Sequence, residues 1–357
     1  MISFVHSADI HLGHGSDARQ ADIMNAFARL VDYTLANQVP VLVIAGDMFN
    51  HIRPAYGTLG QAIVHVNRLT SAGIHVLIVG GNHDTPKTEG VSSPLEVLAH
   101  LSPLVTVAIT EYKPTLVGDT VFHLMPYYSK KADLTSALDR AVAGTIPNQA
   151  NVLVAHLSVG SIARLAYDEA SLDDKELSAL SAKFDYIALG HYHGRWREGK
   201  AAYSGSLEHL TFNELGDVKG WALVNDAGPT FVDACPRPMI ELPTVDLSSS
   251  SKPTDDIIAA IKAADIGGKL VRMKVVNVPA LLYRAIDFRQ LRQAVNKAAN
   301  PDDVFVFAIK EDAVHFTAER AAFKDILVEW REYTAEAGLG ADIQAAGSEY
   351  LTKGGGT

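Results

Sequence analysis

The chain has 357 residues, 48% of them apolar, and a formal net charge of −10. The length exceeds what one hydrophobic core usually serves, so two domains are expected. The apolar content excludes a disordered chain, and the acidic balance excludes a module that grips nucleic acid through a dense basic face alone.

The single cysteine, Cys235, excludes an intrachain disulfide. No signal-peptide pattern opens the sequence, no apolar run approaches the roughly 18 residues needed to cross a bilayer, and no solenoid period recurs. A cytoplasmic protein without membrane spans is the expectation.

In chain order, a strand near Ile2–His6 leads to a helix over Asp17–Asn37, where Ile23, Phe27, Leu30, Val31 and Leu35 recur at helical spacing. Val41–Ala45 reads as a strand, Pro54–Leu69 as a helix opened by proline, His75–Val79 as a strand and Pro94–Leu101 as a short helix. The chain then turns β-rich: Leu104–Ile109, Thr120–Leu124, Asn151–Ala155, Tyr186–Leu189, Ala201–Ser204, Trp221–Asn225 and Thr230–Asp233. So many strands predict an α/β protein of two packed β-sheets flanked by helices. The serine-rich stretch Asp246–Asp256 reads as a linker. A smaller α/β unit follows, with a helix over Asp256–Ala264, a strand over Leu270–Val276, a helix over Phe288–Ala298, a strand over Val304–Ala308 and a last helix over Ala318–Ala337. The tail LTKGGGT is expected to be mobile.

The functional signal is a recurrence. Five apolar runs (SFVH, VLVIAG, VLIVGG, VLVA and YIALG) each end in metal-ligand side chains: Asp9 with His11, Asp47, Asn82 with His83, His156, and His191 with His193. Polar groups at strand ends are where α/β sheets build their sites. Asp9 and His11 are two apart, so in an extended segment they face the same side and can grip one ion, and His191 with His193 repeats that geometry. With Asp47, Asn82 and His156 the ligands mix oxygen and imidazole nitrogen without thiolate, which suits manganese, iron or zinc better than magnesium. Seven protein ligands are too many for one ion that keeps a position open for water, whereas two ions sharing a carboxylate satisfy the count.

Alone, D-x-H or GDMFN is weak, because aspartate and asparagine are also turn formers. GGNHD and GHYH are stronger, since ligand-type residues crowd there with no packing use. All of them in one chain, each after a strand, point to a binuclear metal site.

These motifs, D-x-H, G-D, G-N-H-D, H and G-H-x-H in that order, resemble the calcineurin-like metallophosphoesterases. SADIHLG, AGDMF, GGNHD, ALGHYH and YSGSLEHLTFNE followed by KGW resemble more narrowly the nuclease subunit of the bacterial SbcCD complex and its counterparts in double-strand-break repair. The discriminating segment is Tyr203–Glu214. The likeness covers residues 1–235 well, and the smaller unit by position and size only.

The resemblance implies two Mn²⁺ ions, one held by Asp9, His11, Asp47 and His193, the other by Asp47, Asn82, His156 and His191, with Asp47 as the bridge. It implies that His83 acts on the scissile phosphate as acid or charge stabiliser, with Asp84 orienting its ring, and that water activated between the ions attacks. It further implies a nuclease domain over 1–240, a capping domain that touches DNA over 241–317, and a C-terminal helix and tail over 318–357 that is a candidate for partner docking. An exonuclease with single-strand endonuclease activity is implied, with an SMC-like coiled-coil ATPase as partner and a homodimer formed through the helix over Pro54–Leu69. The last helix carries Phe323, Ile326, Leu327, Trp330 and Tyr333, for which core packing is the safer reading.

One departure stands out: where archaeal and eukaryotic members have a histidine after G-D-x-F, this chain has Asn50, with His51 next. His14 reads as a rim histidine. Arg53 and Arg195 are the DNA-contact candidates, because each lies close in sequence to a ligand loop. Two rival readings stay open. A phosphodiesterase or phosphatase of small nucleotides would need no second domain and no Tyr203–Glu214 segment. A catalytically idle DNA-end-binding scaffold has no reason to retain every ligand and His83.

Overall fold

The computed structural model describes residues 1–88, 90–160, 170–298, 304–309, 330, 334, 343–346 and 348. Two six-stranded sheets form the larger unit. In the first, Phe4–Ser7, Val41–Ala45, His75–Val79 and Val105–Ala108 run parallel side by side, and the hairpin of Gly220–Asn225 with Gly228–Asp233 closes the edge beside Phe4–Ser7. In the second, Thr120–Met125, Ala150–His156, Tyr186–Gly190 and Ala201–Tyr203 are parallel, with Lys113–Val117 and Trp196–Glu198 as antiparallel edges.

Strands buried on both faces are apolar throughout, and VLVIA is an example, fully buried along its length. One set of side chains fills the space between the sheets, including Phe4, Val43, Phe122, Leu124, Val154 and Ala188, with the Phe4 and Phe122 rings edge to face at 5.3 Å. The opposite face of the first sheet is covered by helices Asp17–Ala36, Tyr56–Ser71 and Pro94–Ala99, which supply Phe27, Leu30, Val66 and Leu95. Helices Lys131–Ala143 and Asp174–Ser181 cover the second sheet with Leu134, Leu138, Leu177 and Leu180. The result is a four-layered sandwich of two sheets between two helical layers, as expected from the strand pattern.

Those last two helices are absent from the expected element string. Lys131–Ala143 has a sparse apolar stripe, and Asp174–Ser181 is short. Its start is nevertheless marked by a capping box, in which Asp173 and Glu176 satisfy each other's backbone amides.

The serine-rich stretch Asp246–Asp256 is not the boundary. Met239–Glu241 and Val245–Asp246 already pair in parallel with Leu270–Val276, so the stretch lies inside the smaller unit. It is a strand-to-helix turn held by local bonds, Ser248 N to Asp246 Oδ1 and Ser250 Oγ to Asp256 Oδ2, and it delivers the chain to helix Pro253–Lys262 with proline in the first turn. Val304–Ile309 pairs along Leu270–Val276, and helices Pro253–Lys262 and Phe288–Ala298 share its core. The expected helix over Ala318–Ala337 lies outside the described residues, apart from positions 330 and 334, as does the tail.

Candidate metal centre

The five ligand-bearing segments meet because they leave the same ends of parallel strands in facing sheets. Asp9 and His11 follow Phe4–Ser7, Asp47 follows Val41–Ala45, Asn82 and His83 follow His75–Val79, His156 ends Ala150–His156, and His191 and His193 follow Tyr186–Gly190. The first two loops are zipped together. Asp9 N donates to Gly46 O, His11 N to Asp47 O, Leu12 N to Met48 O and Asn50 N to Leu12 O, all at 2.9–3.1 Å.

This crowding strains the backbone. Asp9, His11, Asp47 and His191 all have positive φ, at 52°, 53°, 49° and 101°. Such conformations in non-glycine residues cost on the order of 1–3 kcal/mol each, and they persist only where surrounding contacts enforce them. Two glycines make the approach possible: a Cβ on Gly46 would overlap the His156 ring, and one on Gly81 would overlap the Asp47 carboxylate.

Ligand atoms of Asp9, His11 and His193 cluster within 4.8 Å of one another, as do those of Asp9, Asp47 and His156 and those of His11, Asp47 and His83. Asp47 Oδ2 lies 3.7 Å from His11 Nε2 and 3.4 Å from His156 Nε2, between the two halves of the group. Asn82 Oδ1 lies 3.0 Å from His156 Nε2 and 3.2 Å from His191 Nδ1. All seven expected ligands are therefore brought together.

Three of the four imidazoles are held by their other nitrogen. His156 Nδ1 donates to Ala45 O at 2.9 Å, His193 Nδ1 to Glu214 Oε1 at 3.0 Å and His11 Nδ1 to Asn50 Oδ1 at 3.2 Å. A metal-ligating histidine needs this arrangement, because the outer bond fixes the tautomer and leaves a lone pair inward. His11 is only 2% exposed, and its Nε2 is buried with no hydrogen-bond partner among the described residues. A buried polar atom left unpaired is costly, and a cation held among Asp9, Asp47 and His193 would satisfy it. By this geometry the donor set fits divalent ions.

The electrostatics agree. Burial raises the Asp9 carboxyl. Burial also works to raise Asp47, but the charge of His156 and its hydrogen bond, with His11 and His83, hold it well below the usual carboxylate range. Burial would lower His156, yet Asp47 and then Asp9 push it up to about 9. In the metal-free protein a proton sits where the acidic cluster calls for positive charge. His11 and His191 are driven down to about 3, chiefly by burial, so they stay neutral and able to ligate.

His83 is exposed at the rim. Its backbone N donates to Asp47 Oδ1 at 2.9 Å, and its ring Nδ1 to the carbonyl of Asn50 at 3.0 Å. Asp84 therefore does not orient the ring directly, contrary to expectation. Its carboxylate is buried and accepts from Gly81 N at 2.7 Å and Phe49 N at 3.2 Å, which fixes the two loops that present His83 and Asp47. Burial and then the Asp47 charge raise Asp84 to about 7.

Arg195 is also placed differently from a phosphate contact. Its guanidinium donates to Asp233 Oδ1 and Val232 O and lies over the Phe231 ring at 4.8 Å, which ties it into the edge hairpin. Arg53 is exposed, and among the described residues no hydrogen bond or ion pair holds it.

Four residues that hold the site escape the motif reading. Asn50 Oδ1 accepts from both His11 and His14, and Asn50 Nδ2 contacts His51 Nε2 at 2.8 Å. His14 Nε2 reaches Leu210 O, so this rim histidine bridges to the Tyr203–Glu214 segment. Glu214 and Lys219, which hold His193, belong to segments visible only as family markers.

A family model for calcineurin-like phosphoesterases matches residues 2–195. The chain is 28% identical to the DNA double-strand break repair protein Mre11 of Methanocaldococcus jannaschii over 363 residues, covering 95% of this chain and 92% of that protein. The protein of the same name from Methanopyrus kandleri is 33% identical over 234 residues, 60% of this chain, and this chain spans 51% of its length. A dimetal phosphatase structure from Danio rerio aligns with 62% of this chain and 91% of its own at 12% identity and a TM-score of 0.37.

Proposed function

The chain belongs to the calcineurin-like phosphoesterase family, and from that premise we propose that it is a divalent-metal-dependent DNA nuclease of double-strand-break repair, acting as a Mn²⁺-dependent exonuclease with single-strand endonuclease activity. The observation that carries the reading is the convergence of the seven candidate ligands in a chain that aligns along nearly its whole length with a double-strand break repair protein.

In this reading Asp9, His11, Asp47 and His193 would hold one ion and Asp47, Asn82, His156 and His191 the other. The position of Asp47 Oδ2 between His11 and His156 supports its role as the bridge. Two bound cations supply the positive field that neutralises phosphate charge and acidifies water. His83 does the remaining proton work: Nδ1 donates to Asn50 O, and in the imidazolium form Nε2 carries the second proton, which it gives to the departing oxygen or uses to stabilise charge on the phosphate. Asp84 serves by holding the loops. Arg53 is the strand contact we retain.

The unit over 241–317 is proposed as the cap that touches DNA, and 318–357 as the docking segment for an SMC-like coiled-coil ATPase. Helix Tyr56–Ser71 exposes Tyr56 at 93% and Val64 at 59%, which supports it as the face of a homodimer. No described helix is long and apolar enough to cross a membrane. The cytoplasm is the proposed location.

Incubation with end-labelled duplex DNA and with a cyclic dinucleotide, each with and without Mn²⁺, tests the proposal. Mn²⁺-dependent shortening of the duplex is expected. Cleavage of the dinucleotide with intact DNA would replace the repair reading by small-nucleotide hydrolysis, and cleavage of neither would favour an idle scaffold.

A further inference from the structure

We propose that Glu214, backed by Lys219, is a positioning residue that locks the His193 ring so that Nε2 serves an ion together with Asp9 and His11. This inference rests on the two-ion reading above. Glu214 ends the short turn Phe212–Glu214 and is 7% exposed. Its Oε1 accepts from His193 Nδ1 at 3.0 Å, Thr211 N at 3.2 Å and Thr211 Oγ1 at 3.3 Å, while Oε2 accepts from Leu210 N at 3.0 Å and pairs with Lys219 Nζ at 2.7 Å. A carboxylate held by five donors cannot swing away from the imidazole it accepts from.

Lys219 grips the same histidine by its backbone. Its side chain is fully buried, and Nζ donates to His193 O at 3.0 Å and Asp217 Oδ2 at 3.2 Å. Ser206 N donates to that carbonyl as well, at 3.0 Å. Ring and main chain of His193 are therefore fixed by one network. A buried ion pair is a poor source of net stability, because desolvating two charges offsets most of their attraction. This pair instead converges on a single ligand, and a carboxylate behind a ligating histidine both orients the ring and makes it a stronger donor. The turn is buttressed from outside too: Phe212 packs against the Arg272 guanidinium at 5.0 Å, and Arg272 belongs to the smaller sheet.

The test is Mn²⁺ titration calorimetry of the full chain with Glu214→Ala and Glu214→Gln, alongside metal-free thermal unfolding. Wild type is expected to bind two ions. Glu214→Ala is expected to weaken one of them by roughly 10–100-fold and leave the other unchanged. Glu214→Gln, whose amide oxygen still accepts from Nδ1 but lacks the charge, is expected to show a smaller loss at that same ion; should Glu214→Ala fail to fold, this variant carries the test. Unchanged affinities in the variants overturn the proposal and leave the two-ion reading standing. Equal weakening of both ions with a lowered metal-free melting midpoint marks a general structural role and overturns it as well. A wild-type chain that binds at most one ion overturns the two-ion reading and the proposal with it.

Discussion

The backbone carbonyl of Asn50 accepts a hydrogen bond from Nδ1 of His83 at 3.0 Å. A carbonyl oxygen has no proton to give, so the tautomer of His83 is set by the main chain of a neighbouring loop. The side chain of the same asparagine accepts from His11 and His14. One residue thus holds the His11 ring by its side-chain amide and the His83 ring by its peptide bond.

That division predicts the behaviour of Asn50→Ala. The bond to His83 uses the backbone and survives, whereas His11 loses the acceptor that fixes its Nδ1 proton. Metal affinity is expected to fall by roughly tenfold or more, as for other lost partners of ligating histidines, and calorimetric Mn²⁺ titration measures it. Full affinity in the variant would show that His11 needs no outer partner.

His83→Ala and Asp47→Ala should fail in different ways. The first is expected to keep two equivalents of metal while turnover falls by roughly 10²–10⁴-fold, the usual worth of a positioned acid. The second should lose metal and turnover together, because Asp47 lies between His11 and His156. Metal analysis beside single-turnover cleavage separates them, and a His83→Ala enzyme with wild-type rate would remove His83 from the chemistry.

Arg53 and Arg195 should separate by salt dependence. Arg53→Ala is expected to weaken DNA binding uniformly and lower the slope of log affinity against log salt by about one. Arg195→Ala should leave that slope unchanged and lower the thermal midpoint instead, since its partners are Asp233, Val232 and Phe231. Fluorescence anisotropy across a salt series reads the first effect. The reverse pattern would mean that the hairpin contact is not what Arg195 is for.

His6 gives the protein an acid sensitivity independent of the metal ligands. It is buried against Tyr186 Oη and Leu189 O, and burial lowers its pKa to about 4. Between that value and its unfolded value near 6.5 the unfolded chain binds the extra proton, so stability rises with pH there. The contribution is complete above about pH 6.5 and is lost as pH falls through 4, on the order of 3 kcal/mol. In metal-free chemical denaturation His6→Gln should lose less stability than wild type between pH 7 and pH 4, and parallel losses would refute the assignment.

The convergence of the candidate ligands was legible because each sits at or just after the end of an apolar strand, and a strand end is a position that local pattern reveals. Asp9, His11, Asp47, Asn82, His156, His191 and His193 all meet on that logic. What local pattern cannot reveal is the partner of a side chain when that partner lies far along the chain. Asp84 stands next to His83 and reads as its orienting acid, yet its oxygens bind Gly81 and Phe49 amides, and the ring turns to Asn50, 33 residues away. Arg195 follows GHYH and reads as a phosphate contact, yet the packing of the second sheet beside the edge hairpin of the first brings Asp233 to it across 38 positions.

The sequence by itself determined which residues leave the sheets as candidate ligands and how the apolar strands and helices alternate, since both depend on spacing along a few residues. Only the tertiary structure decided how those ligands are held: the positive φ of Asp9, His11, Asp47 and His191, the glycine gaps at Gly46 and Gly81, and the outer grip of Asn50, Glu214 and Lys219. The physical reason is that hydrogen-bond geometry and steric crowding arise between loops brought together by packing of two sheets, and that packing is a property of the whole chain rather than of any stretch of it.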